Sequence, residues 1–122
     1  MRLRCINMGL KKYQSKAIDI LKAFLKDLEK QKPGYAFLYH TKAQKPYNDE
    51  FFGSEVPFVC VKIPTGGGKT YVGCHAVNEI LDSFLKEKMG RGIVMWFVPS
   101  ESIKTQTLRK FKDRNDIHRK LS

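Results

Sequence analysis

Residues 62–70 read Lys62-Ile63-Pro64-Thr65-Gly66-Gly67-Gly68-Lys69-Thr70, with the apolar run Phe58-Val59-Cys60-Val61 before them and a helical pattern after them. Few other segments limit a chain so strongly. Consecutive glycines let the backbone curl until successive N–H groups face one anion. A helix that starts there adds the positive end of its dipole. Lys69 is then placed to reach outer phosphates, and the Thr70 hydroxyl to ligate a magnesium ion. Thr65, Gly66, Gly67, Gly68, Lys69 and Thr70 are therefore the candidate phosphate-binding residues, with ATP and Mg2+ as the expected cofactors and Thr70 as the metal ligand. The loop departs from the strict pattern at one place. Ile63 stands where the first invariant glycine is usual, and Pro64 removes a backbone donor where the apolar run ends.

The patterning around the loop predicts a fold class. Pro57 to Ile63 is nearly all apolar, as in a parallel strand buried on both faces. A helix is predicted from about Gly68 to Lys88, with Val72, Ala76, Val77, Ile80, Leu81, Phe84 and Leu85 as its buried stripe. Gly90 and Gly92 bracket a turn, and Ile93 to Val98 reads as a second buried strand that Pro99 ends. Strand, loop, helix, strand is a βαβ unit, so the class is α/β with parallel strands and flanking helices. Ser100 or Ser102 is suited to cap a helix near 101–112, with Ile103, Leu108 and Phe111 as its apolar face.

Upstream, Leu10, Gln14, Ala17, Ile18, Leu21, Leu25 and Leu28 recur at helical spacing, predicting an amphipathic helix over about 10–30. Pro33-Gly34 fits its stop. Residues 31–56 carry no clear period. Phe37 to Tyr39 is a candidate short strand, and a connection this long is often functional.

The chain has 122 residues, room for one small domain or part of a larger one. Its 23 Lys and Arg against 12 Asp and Glu give a formal charge of +11, which favours polyanions, nucleic acid first. The three cysteines have no C-x-x-C spacing. Cys60 and Cys74 read as small buried hydrophobes, no zinc site is evident, and a reducing cytoplasm fits. The apolar run 93–98 is far too short to span a bilayer, so no membrane partner is expected.

Two further motifs bear on function. Tyr13-Gln14 opens the upstream helix, and a primary amide matches the donor and acceptor on one edge of adenine. On the helix alone, Gln14 is simply a polar residue near a helix end; the glycine loop downstream gives it a second meaning. The run Met95-Trp96-Phe97-Val98-Pro99-Ser100 leads into a helix carrying Ser102, Lys104, Gln106, Thr107 and Arg109. Their hydroxyls, amide and cations suit phosphodiester oxygens, although a capped surface helix with a basic face has the same composition.

In this order, the Tyr-Gln helix, the Pro-Thr-Gly-Gly-Gly-Lys-Thr loop and the Trp-Phe-Val-Pro-Ser turn resemble the N-terminal part of DEAD/DEAH-type superfamily 2 helicases. The branch they resemble most is the type III restriction enzyme Res subunit. The resemblance covers residues 10–28, 57–88 and 91–112. It implies part of a RecA-like P-loop NTPase domain, divided into a Gln-motif helix (10–30), a long connection (31–56), a strand, loop and helix (57–88) and a motif Ia strand and helix (91–112). It further implies that Gln14 reads adenine and that Ser100, Ser102, Lys104, Gln106, Thr107 and Arg109 touch the nucleic-acid backbone. The implied function is the ATP-binding segment of a nucleic-acid-dependent ATPase or helicase, a DNA translocase serving restriction or phage defence. Its partners would be duplex DNA and the remainder of the motor or a nuclease or modification subunit.

The family also carries an acidic Asp-Glu-x-His motif after a later strand. Asp49-Glu50 lies before the loop, and Asp116-Ile117-His118 follows the polar run 112–115. No catalytic residue is therefore assigned. The chain is expected to be a fragment or a truncated product that binds ATP weakly if at all and does not turn it over alone. The competing expectation is a non-enzymatic basic module for nucleotide or nucleic acid, or a remnant. A small P-loop phosphotransferase is a weaker third, since it would leave Tyr13-Gln14 idle.

Overall fold

A computed structural model describes residues 9–85 and 93–109. It is built on helices: α1 (Lys12–Asp27), α2 (Pro33–His40), α3 (Lys69–Glu79) and α4 (101–109). A π-helical turn, Ile80–Phe84, continues α3.

α1 is the hub. Ile18, Leu21, Phe24 and Leu25 are buried on one face, as their three- and four-residue spacing dictates. Leu21, Phe24 and Leu25 enclose Ala36 of α2, with Ala76 and Ile80 from α3 and the π turn packed alongside. Further toward the N-terminus, Ile18 meets Ile63 and Val72. One helix face thus holds α2, α3 and the segment that leads into the glycine loop. At its start the Lys11 N–H donates to Gln14 Oε1 at 2.9 Å. That is the glutamine half of a capping box, and a lysine side chain cannot return the bond.

α2 occupies part of the span that has no sequence period, and it replaces the short strand expected at 37–39. Pro33 does follow the end of α1, but it also stands at the first turn of α2, where its missing N–H costs nothing. His40 Nε2 lies 2.8 Å from Asp27 Oδ2, joining the C-terminal ends of α1 and α2. The connection beyond α2 is organised by Tyr47. Its hydroxyl donates to the Val56 carbonyl at 3.0 Å and accepts from the Phe58 N–H at 3.0 Å, and its ring lies 5.2 Å from that of Phe37.

The expected parallel strands are absent: among the described residues there is no strand, and the α/β class does not hold. Residues 57–64 and 93–98 are irregular and form no strand ladder. Phe58, Val59 and Val61 are exposed, as are Ile93, Val94, Met95, Trp96 and Phe97. Apolar content marks a segment that gains by burial, but a strand exists only with a partner that accepts its hydrogen bonds, and a two-stranded ribbon is marginal in water. Cys60 is accordingly exposed rather than buried, whereas Cys74 is fully buried as expected. On α3 the buried stripe is also narrower than its pattern suggests. Val72 is buried, Val77 and Leu81 are half-buried, and Phe84 is exposed. Trp96 does have a seat. A Cβ added at Gly73 would come within 2.5 Å of its Cη2, so the indole lies directly on α3. The expectations for Cys5, for 86–92 and for 110–122 fall outside the described residues.

Candidate functional site

The loop between the apolar run and α3 is a tight turn with a fixed anchor. The Gly67 N–H donates to the Pro64 carbonyl at 2.9 Å. Gly66 and Gly68 hold positive φ, 73° and 79°, which a side chain would resist. Gly67 and Gly68 are constrained by space as well. A Cβ at Gly67 would meet Ile63 Cγ2 at 2.7 Å, and one at Gly68 would meet Gln14 Nε2 at 2.6 Å. Gly68 then serves as the cap of α3, and its carbonyl takes the first helical bond, from the Val72 N–H at 2.9 Å. The N–H groups of residues 69 and 70 have no intrahelical acceptor by position, and the helix dipole is positive there.

The anchor comes from α1. The Gly67 carbonyl accepts two hydrogen bonds, from Tyr13 Oη at 2.9 Å and from Gln14 Nε2 at 2.7 Å. Gln14 is 5% exposed, so its amide is both buried and committed at each end. Reading an adenine edge would take its one remaining donor and one remaining lone pair. The two residues singled out at the helix start therefore do meet the glycine loop, but by gripping its backbone. The sequence separations are 54 and 53 residues. Nothing local in the sequence signals such a contact.

Thr65 and Lys69 line a cleft of about 990 Å³ that also receives the end of α2 and the turn after it. Lys69 also lines a smaller apolar cavity, together with Ile18, Leu21 and Val72. Thr70 is half-buried at the second position of α3.

The α4 residues do not line this cleft. Ser100 Oγ accepts from the Ile103 N–H at 3.4 Å, a long helix-capping contact, and lies 3.1 Å from Ser102 Oγ. Lys104 pairs with Glu101 at 3.0 Å on the surface. Gln106 and Arg109 are exposed, and Thr107 is buried at 6%. Ile103 and Leu108, expected on the inner face, are exposed instead. Among the described residues no group of three His, Cys, Asp or Glu is placed to hold a metal, and no helix is long and apolar enough to cross a membrane.

Comparison with known proteins fits the order of motifs. The sequence matches the family described as type III restriction enzyme, res subunit, over residues 7–121. The chain belongs to that family, one of helicase-like ATPases. No curated protein and no solved structure matches it.

Proposed function

We propose that residues 65–70 bind the phosphates of ATP, and that the chain is the nucleotide-binding segment of a DNA-translocating ATPase of the restriction type. The observation that carries this reading is the pair of hydrogen bonds from Tyr13 and Gln14 to the Gly67 carbonyl. They hold a glycine turn at the start of α3, beside a cleft into which Lys69 and Thr65 open. The cleft's volume lies in the range of small-molecule sites.

In this reading Lys69 bears on the outer phosphates, and the amides at the start of α3 take the inner ones. The Thr70 hydroxyl supplies one oxygen ligand to Mg2+. Bound magnesium would neutralise phosphate charge during hydrolysis. Gln14 and Tyr13 hold the loop in shape, and Gln14 faces the base with what remains of its amide. The exposed Ser100, Ser102, Lys104, Gln106 and Arg109 contact the DNA backbone; Thr107, being buried, supports α4 from within. With no Asp-Glu pair after the loop, the 122-residue chain alone binds nucleotide without turnover.

Binding of a fluorescent ATP analogue to the full chain tests the reading. Lys69→Ala is expected to weaken it by roughly 10- to 100-fold, the worth of a charge-assisted hydrogen bond. Equal binding by Lys69→Ala and the native chain, or none by either, would refute it. Duplex binding measured against salt tests the second contact, with a steep fall expected.

A further inference from the structure

The cleft that Lys69 opens onto has a second wall that no motif announced. It is formed by the turn after α2, residues 41–45, and it faces the 60–65 segment. Lys42 and Lys45 on this turn share the cleft with Lys62 and Lys69, and among the described residues its lining includes no carboxylate. None of these four lysines pairs with an acid among the described residues. The acid bound to the lining His40 is Asp27, which that contact already occupies at 2.8 Å. Like charges gathered around one hollow repel each other unless an anion sits among them.

The turn itself is held firmly. Ala43 N–H donates to the Leu38 carbonyl at 2.7 Å, and Thr41 Oγ1 to the Phe37 carbonyl at 2.8 Å. Lys42 and Ala43 both keep positive φ, 53° and 55°, a conformation that side chains other than Gly, Asn and Asp seldom adopt. A lysine held this way at a turn tip, where glycine or asparagine would be easier, fits a role for its charge.

We propose that Lys42 and Lys45 form a polyphosphate clamp opposite the glycine loop, so that the cleft grips the outer phosphates of a nucleoside triphosphate from both sides. The proposal rests on the ATP reading above and adds to it. The clamp discriminates by phosphate number: a triphosphate reaches the far wall, and a monophosphate held at the loop does not. Cys60, exposed on the same lining, reports occupancy of the cleft.

The test uses the whole chain, calorimetric titration with tripolyphosphate, MgATP and AMP, and alkylation of Cys60 by iodoacetamide read by peptide mass spectrometry. The double variant Lys42→Asn/Lys45→Gln is chosen because asparagine accepts positive φ. It is expected to lose at least ten-fold in affinity for tripolyphosphate and MgATP, with AMP unchanged. Lys42→Arg/Lys45→Arg should keep native affinity, which separates lost charge from lost fold. Tripolyphosphate should slow Cys60 alkylation in the native chain and not in the Asn/Gln variant.

Native affinity in the Asn/Gln variant, or no binding of tripolyphosphate by the native chain, would overturn the clamp. So would displacement of tripolyphosphate by duplex DNA, which would make the cleft a nucleic-acid groove. If Lys69→Ala abolishes MgATP binding while the Asn/Gln variant binds normally, the clamp fails and the ATP reading stands. If the native chain holds tripolyphosphate through Lys42 and Lys45 but ignores MgATP, the ATP reading fails, and the nucleotide clamp is overturned in favour of a site for inorganic polyphosphate.

Discussion

Two apolar stretches of this chain have opposite fates. On α1, Ile18, Leu21, Phe24 and Leu25 are between 3% and 7% exposed. At 93–98, Ile93, Met95 and Phe97 are between 73% and 89% exposed, although that run is the more continuously apolar. The difference lies in partners. α1 satisfies its own backbone and needs only side chains to cover one face, which α2, α3 and the π turn supply. An extended segment must also find a neighbour for each N–H and C=O. Among the described residues, 93–98 has one clear seat, the Trp96 indole on Gly73.

The largest test of this contrast is a pair of truncations. Phe24→Ala should cost about 3–5 kcal/mol in urea unfolding, since it empties a site enclosed by Leu21, Leu25 and Ala36. Phe97→Ala should change stability by no more than about 0.5 kcal/mol. Similar costs at the two positions would mean that 93–98 is buried in solution and the contrast is false.

Next in size is the link between α1 and the loop. Gln14→Ala removes a buried donor from the Gly67 carbonyl and should cost about 1–3 kcal/mol. Tyr13→Phe, which leaves the Gln14 bond in place, should cost less, about 1 kcal/mol. Denaturation midpoints in the reverse order would show that Gln14 is not the main anchor.

A smaller effect probes the seat of Trp96, the chain's only tryptophan. Gly73→Ala gains helix propensity of about 1 kcal/mol but drives a methyl into the indole. The net stability change should be under about 1 kcal/mol, while the emission of Trp96 moves to longer wavelength as the ring lifts off. An unmoved spectrum would place the indole elsewhere.

The smallest concerns Lys32 and Glu55, paired at 2.8 Å on the surface. The Lys32 ammonium, by hydrogen bond and by charge, holds the Glu55 carboxyl below its ordinary value. Such a group stabilises the fold above its unfolded pKa and loses that contribution as pH falls through the folded one. With both side chains in water, thermal melts should not register the pair. An NMR titration should find the Glu55 midpoint below the usual glutamate value, returning upward in Lys32→Gln. No return would mean that another group sets it.

The sequence makes some of this legible and hides the rest for physical reasons. α1 can be read from spacing alone, because its face is periodic and its core is its own. The start of α3 can be read from Gly68 and Lys69, because a left-handed glycine cap leaves a local signature. α2 is hidden because Pro33-Gly34 ends one helix as naturally as proline begins another. The strands are misread because Phe58 to Val61 and Ile93 to Val98 state a wish for burial without stating a partner. At the site, the glycines and Lys69 are visible as a motif. The Gln14–Gly67 bond and the clamp lysines are invisible, since each depends on residues far apart in the chain meeting in space.

In the proposed site, a turn pinned by α1 at the Gly67 carbonyl presents the start of α3 to a triphosphate. A titration of the 15N-labelled chain with MgATP, followed at the backbone amides, reads this contact residue by residue. Saturating shifts concentrated at residues 65–70, lost in Lys69→Ala, are the expected result. Amides at 65–70 that stay still while others move, or shifts that persist in Lys69→Ala, would contradict it.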